Sequence, residues 1–298
     1  NAIEAGQELP NGQIADPGTA LKETLLAVKD VYDNNEYVGI ACAFKNSGIG
    51  VGLPDIGRCI LEIKDGKVHI RSSAACIGQG LGTILTQILC QTLDITPDKV
   101  VYEAPDTRRT PDSGTTTASR QTTFTGEAVR VTALKVKEDL NGRTLDALNG
   151  QEFYGEFSGV TDKMGSDKKN PVSHVAYGFA TQVVVLDENG KLKNVEGQIE
   201  GGVVMGLGYA LTEDYPLKNS VPTAKFGTLG LLRATAVPEI KAMVIEKNTN
   251  DLSYGAKGVG EITCIPTAPA VQGAYYKFDG VFRTKLPLEN TFYKKSKK

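Results

Sequence analysis

The segment Lys257-Gly258-Val259-Gly260-Glu261 closes a glycine-flanked turn with a single carboxylate. Its two glycines carry no Cβ atoms, so a large planar group can come close to the backbone. A carboxylate held there, among mostly uncharged neighbours, has the surroundings of a general base. Taken alone, the segment reads as a surface turn with solvated charges. Two further segments shift that reading.

Cys76-Ile77-Gly78-Gln79-Gly80-Leu81-Gly82-Thr83 lies where a strand gives way to a helix. Glycines here expose backbone N–H groups at a helix N-terminus, which suits an anion. The Gln79 amide both donates and accepts, which suits the edge of a heterocycle. A tight strand-to-helix turn with an exposed Gln is the alternative. The third segment is Pro105-Asp106-Thr107, then Pro111 onward through Gly114, Thr115, Thr116, Thr117, Ala118, Ser119, Arg120 and Gln121. Together, Ser113, Thr115, Thr116, Thr117, Ser119 and Thr122 supply more hydroxyls than capping the next helix requires. Hydroxyls, early-helix N–H groups and one Arg are what a phosphate or pyrophosphate needs.

Ordinary elements must position these residues. An amphipathic helix is predicted after Asp16-Pro17-Gly18, with Leu21, Leu25 and Val28 on one face. A mostly apolar strand over 37–44 leads into the glycine-rich stretch 47–52, which lacks the dinucleotide fingerprint. Asp65-Gly66 signals a hairpin between 59–64 and 68–72, and Asn189-Gly190 another between 183–186 and 192–195. Helices are expected over 82–93, 117–136 and 200–212, and an exposed loop over 158–171. The polar stretch 139–150 is the expected seam between halves 1–150 and 151–298. Hairpins mixed with helices, without a regular βαβ rhythm, give an α+β class with mixed sheets and packed helices.

Composition narrows the function. With 298 residues the chain has ample length for a core, and its 40% hydrophobic and 23% charged content is that of a globular protein. Lys and Arg number 33 against 35 Asp and Glu, for a net −2, so no basic field draws nucleic acid or an anionic membrane. The five cysteines form no C-x-x-C, and two histidines are too few for a His-based metal site, so no residue is assigned as a metal ligand. Apolar surroundings at Cys42 and Cys90 predict buried free thiols. No apolar run reaches bilayer length and no signal-peptide pattern is present, so a cytoplasmic location is expected.

Taken in order, several segments resemble the molybdenum hydroxylases of the xanthine oxidase family. They are Gly78-Gln79-Gly80 with Thr83 and Gln87, then Asp106-Thr107, then 114–120, then Glu200-Gly201-Gly202 through Gly208, and the Lys257 to Glu261 turn. The resemblance implies a molybdopterin cofactor carrying molybdenum, expected as the cytosine dinucleotide. It would place Gly78, Gln79 and Gly80 at the pterin, 114–121 at the pyrophosphate and nucleotide, and Lys257, Gly258, Val259 and Gly260 beside them. Glu261 would accept a proton while water-derived oxygen is added to an electron-poor carbon beside a ring nitrogen. Lys257 would favour the charged form of Glu261 or point to solvent. Cys42, Ala43 and Phe44 would wall the substrate pocket. Nicotinate is the substrate expected first, with a purine or an aldehyde as alternatives, or a non-catalytic scaffold role. The match covers only the C-terminal part of the family's molybdenum subunit. A second molybdopterin polypeptide is therefore implied to complete the pocket, and iron–sulfur and FAD subunits to carry electrons away.

Overall fold

The computed structural model describes residues 2–117, 119–196, 200–225, 227–247 and 251–294. Along the chain the strands are β1 (Val38–Ser47), β2 (Ile56–Lys64), β3 (Lys67–Arg71), β4 (Val100–Tyr102), β5 (Glu152–Ser158), β6 (Ala176–Leu186), β7 (Leu192–Glu196), β8 (Leu217–Lys218), β9 (Val221–Pro222) and β10 (Glu239–Lys241). The helices are α1 (Leu21–Ala27), α2 (Lys29–Asp33), α3 (Leu81–Leu93), α4 (Gln121–Leu140), α5 (Glu200–Leu211) and α6 (Thr267–Asp279). Both mixed sheets have four strands, in the orders β1-β6-β7-β10 and β4-β3-β2-β5. The α+β expectation holds.

Long-range pairing decides the layout. β1 runs antiparallel to β6, with Lys45 opposite Gly178 and Phe44 opposite Phe179. Everything from β2 to β5 is inserted between those two partners. The insertion packs its own core, in which Cys59, Leu61, Ile63, Val68 and Ile70 of the sheet meet Leu85 and Leu89 of α3 and Ala128, Val129 and Val136 of α4. The boundary expected at residue 150 is therefore corrected. The 139–150 stretch is stitched to β2 by Gly150 N donating to Ile63 O (2.7 Å) and Ile63 N donating to Gln151 O (2.9 Å), and β5 then pairs with β2. The seam lies inside one packing unit.

The first sheet is covered on both sides, so every residue of β6 is at least largely buried. On one face Val184 packs with α5 and α6. On the other, Val183 and Val185 meet Val28 and Val38, while Tyr177 and Phe179 meet Leu21. α6 crosses β1 at bare backbone. A Cβ on Gly39 would stand 2.0 Å from the Ala270 carbonyl oxygen, so only glycine fits. The predicted loop 47–52 is close-packed, since a Cβ on Gly50 would meet the Ser173 carbonyl oxygen at 2.3 Å. Cys42 is exposed and Cys90 half-buried, against expectation, because apolar sequence neighbours on a strand or helix point to other faces. Among the described residues no helix is long and apolar enough to cross a membrane.

Candidate active site

The three segments singled out in the sequence meet. Thr116 binds the Ala75 backbone twice, its Oγ1 donating to Ala75 O (3.0 Å) and accepting from Ala75 N (3.1 Å). Ser113 N donates to Ser73 Oγ (2.6 Å) and Ser113 Oγ accepts from Arg58 N (2.8 Å), which ties the hydroxyl-rich loop to the second sheet. On its other side that loop touches the C-terminal turn. A Cβ on Gly258 would lie 2.4 Å from the Ser119 carbonyl oxygen, so the bare backbone is what lets the two loops touch. Ser119 Oγ then donates to Glu261 Oε2 (2.8 Å), and Lys45 Nζ sits 3.0 Å from the same oxygen.

The turn bearing Glu261 is fixed from behind. Cys264 N donates to Glu261 O (3.1 Å), Thr263 Oγ1 donates to Gly260 O (3.0 Å), and buried Gln182 of β6 donates to Thr263 O. Upstream, Ser253 (φ 51°) and Tyr254 (φ 55°) both adopt the left-handed conformation, which non-glycine residues rarely do. Their surroundings hold that strain. Ser253 N donates to buried Glu127 Oε2 (2.6 Å), and Ser253 Oγ donates to Thr123 O (2.8 Å).

The surroundings fit a flat, anionic group. Gly78 (φ 111°), Gly80 (φ 73°) and Gly260 are exposed, and a Cβ on any of them would meet nothing within 4 Å, so their backbones are open to a ligand. Thr115 and Thr117 are exposed as well. At the start of α3 the backbone N–H groups favour negative charge: those of Gly78 and then Leu81 hold the exposed Cys76 thiol below its ordinary range. Gln79 spends its amide within its own loop, donating to Ala75 O (3.1 Å) and accepting from Ile77 N (2.6 Å). Ala118 lies outside the described residues.

Several expected roles are corrected. Arg120 is no exposed phosphate ligand. It is enclosed against Asp55 (2.5 Å) and donates to the carbonyls of Ser113 (2.6 Å), Thr115 (3.2 Å) and Ile56 (2.6 Å). Gln121 is likewise buried, donating to Gly114 O (3.3 Å) and Thr115 O (3.1 Å) and accepting from Thr125 Oγ1 (2.5 Å). Lys257 donates to Tyr177 O (3.2 Å), and burial pushes its ammonium below the ordinary lysine range. Among the described residues it is Lys45 that places a cation on Glu261. Strand alternation sends Cys42 and Phe44 to the face where Phe44 stacks edge-on against Tyr177, while Ala43 and Lys45 share the opposite face. Of the three expected wall residues, only Ala43 shares the face from which Lys45 reaches Glu261. Lys45, Asp55 and Glu127 were missed, because nothing local in the sequence links them to the loops they hold.

Beneath the C-terminal turn lies a cavity of about 540 Å³. It is lined by Lys257 and Val259 together with Ile84 and Gln87 of α3 and Tyr177 and Phe179 of β6. Glu261 and the 113–121 loop are not among its lining residues, so it adjoins the Glu261 site from the side of α3.

A family profile described as the molybdopterin cofactor-binding domain matches residues 28–192 and 180–238, well over half of the chain. The chain is a molybdopterin cofactor-binding domain of the xanthine oxidase family. It is 25% identical over 304 residues to the xanthine dehydrogenase molybdenum-binding subunit of Escherichia coli O157:H7, covering 84% of this chain and 40% of that one. It is 26% identical over 306 residues to the gamma subunit of the 6-hydroxypseudooxynicotine dehydrogenase complex of Paenarthrobacter nicotinovorans, covering 84% and 38%. The solved aldehyde oxidoreductase from Desulfovibrio gigas superposes with a TM-score of 0.77 at 20% identity, over 95% of this chain and 36% of that one. This molybdopterin-binding chain thus spans about two-fifths of the length of the curated relatives it matches.

Proposed function

We propose that this chain is the molybdopterin-binding part of a hydroxylase that adds water-derived oxygen to a carbon of an N-heterocycle, with Glu261 as the general base. The supporting observation is the meeting of loops from three distant segments around one carboxylate, beside open glycine backbone suited to a flat anion. The bound cofactor supplies the oxygen transfer and takes the electrons. The chain's own residues do the rest. Gly78, Gly80 and Gly260 offer backbone to the pterin, and the exposed Thr115 and Thr117 hold the pyrophosphate of a cytosine dinucleotide form. Glu261 Oε2, held by Ser119 and Lys45, fixes the carboxylate that takes up the proton.

The substrate reading is nicotinate to 6-hydroxynicotinate, as in the medium molybdopterin subunit of a bacterial nicotinate dehydrogenase. A relative named for 6-hydroxypseudooxynicotine supports a nitrogen-bearing substrate. Relatives named for xanthine and for aldehydes support the second reading, a purine or aldehyde hydroxylase. In either case a second molybdopterin polypeptide, an iron–sulfur subunit and a FAD subunit complete the enzyme.

The test is Glu261→Gln in the assembled complex. Turnover is expected to fall by roughly 10²–10⁴-fold, the range for losing a positioned proton acceptor, while molybdenum and pterin content stay at wild-type levels. Near-wild-type turnover in that variant removes Glu261 from the chemistry.

A further inference from the structure

We propose that Lys45 is a positioning residue that, together with Ser119, holds Glu261 in one orientation at the reacting centre. The inference rests on the reading of Glu261 as the base, and it concerns a residue from the opposite end of the chain.

The geometry is specific. Lys45 stands on β1 opposite Gly178 of β6, next to the Ile262 side chain that follows Glu261. Its side chain is 18% exposed and that of Glu261 44%, so the cation comes from the more enclosed side and the carboxylate faces outward. Lys45 Nζ (3.0 Å) and Ser119 Oγ (2.8 Å) both address Oε2, from two segments far apart in sequence. Nζ also lies 3.2 Å from the Asn46 carbonyl, which limits where the ammonium can swing. Two donors converging on one oxygen define a direction, where a single contact would leave the side chain free to rotate. A partly exposed ion pair adds little to stability. It can nonetheless set the orientation of a reacting group, where small misplacements carry large rate effects. Lys257, the nearer lysine in sequence, is committed to the Tyr177 carbonyl.

The experiment uses the assembled complex carrying Lys45→Met, Lys45→Gln, Lys45→Arg or Glu261→Gln, with nicotinate, xanthine and an aromatic aldehyde as substrates. In Lys45→Met and Lys45→Gln, kcat on whichever substrate turns over is expected to drop about tenfold or more while KM stays within about twofold. Molybdenum content should be unchanged, and Lys45→Arg, which keeps the charge, should recover most of the loss. Wild-type kcat in Lys45→Met beside an inactive Glu261→Gln overturns the inference and leaves the general-base reading standing. A raised KM with unchanged kcat overturns it too, because Lys45 then contacts substrate. An active Glu261→Gln instead overturns the general-base reading itself.

Discussion

Arg120 carries its charge into a fully enclosed place, and Asp55 is its counter-ion there, each side chain only 1% exposed. Three more guanidinium hydrogens go to carbonyls of Ser113, Thr115 and Ile56, and Asp55 Oδ2 accepts from Ile49 N (2.6 Å). One ion pair therefore ties the hydroxyl-rich loop, the start of β2 and the glycine stretch after β1 together. Burying an ion pair need not stabilise a protein, but removing one partner leaves an uncompensated charge in a dry site. Asp55→Asn is accordingly expected to destabilise the chain by about 3–5 kcal/mol, read as a lower urea midpoint at unchanged slope. A loss below about 1 kcal/mol would mean that water reaches the pair and that it does not organise the loop. An arginine in a Thr/Ser-rich stretch reads naturally as a phosphate ligand. What redirected it was an aspartate more than sixty residues earlier, and no local pattern connects the two.

The elements with local signals were the readable ones. Asp65 (φ 51°) and Gly66 (φ 69°) make the tight hairpin turn that their residue types demand. The periodic helix α3 starts one residue before the predicted 82–93 span, and α5 starts where predicted. α4 starts at Gln121 rather than 117, because Ser119 (φ 49°) is left-handed and its hydroxyl is spent on Glu261. α6 was not anticipated. Pro269 and Gly273 weaken its helical pattern, and only the finished fold shows that α6 must pass bare against Gly39. The pairing of β1 with β6, which brings Lys45 to Glu261, is equally non-local. Glycines in the C-terminal turn separate the two kinds of requirement. Gly258→Ala drives a methyl to within 2.4 Å of the Ser119 carbonyl and must part the loops, whereas a methyl on Gly260 meets nothing. Gly258→Ala is expected to lower stability by about 1–3 kcal/mol, while Gly260→Ala stays within about 0.5 kcal/mol of wild type. Thermal unfolding of the two variants side by side decides it. Equal effects would mean that the loop contact is not what glycine serves here.

At the scale of the molecule, the distribution of apolar surface points outward to something larger. On α5, Met205 is 66% exposed and Tyr209 60%, although the opposite side of that helix is sealed in the core by Val203, Leu207 and Leu211. Val244, at the rim of the cavity below the C-terminal turn, and Ile77, in the Gly78 loop, are more exposed still. An exposed apolar stripe on a helix whose other side is core is the kind of surface that the proposed second polypeptide would cover. The relatives' greater length supplies the corresponding mass, since this chain spans only about two-fifths of them. If a second polypeptide closes the cofactor pocket, then cofactor retention and stability should rise together when it is present, because a ligand held only by the assembled state stabilises only that state. The chain expressed alone is expected to bind a hydrophobic dye, to elute broadly on size exclusion and to carry little molybdenum by elemental analysis. Co-expression with the proposed second molybdopterin polypeptide should reverse all three and raise the melting temperature. A lone chain that elutes as a sharp monomer with a full complement of molybdenum would show that the pocket is complete within these residues and that the exposed face of α5 serves some other end.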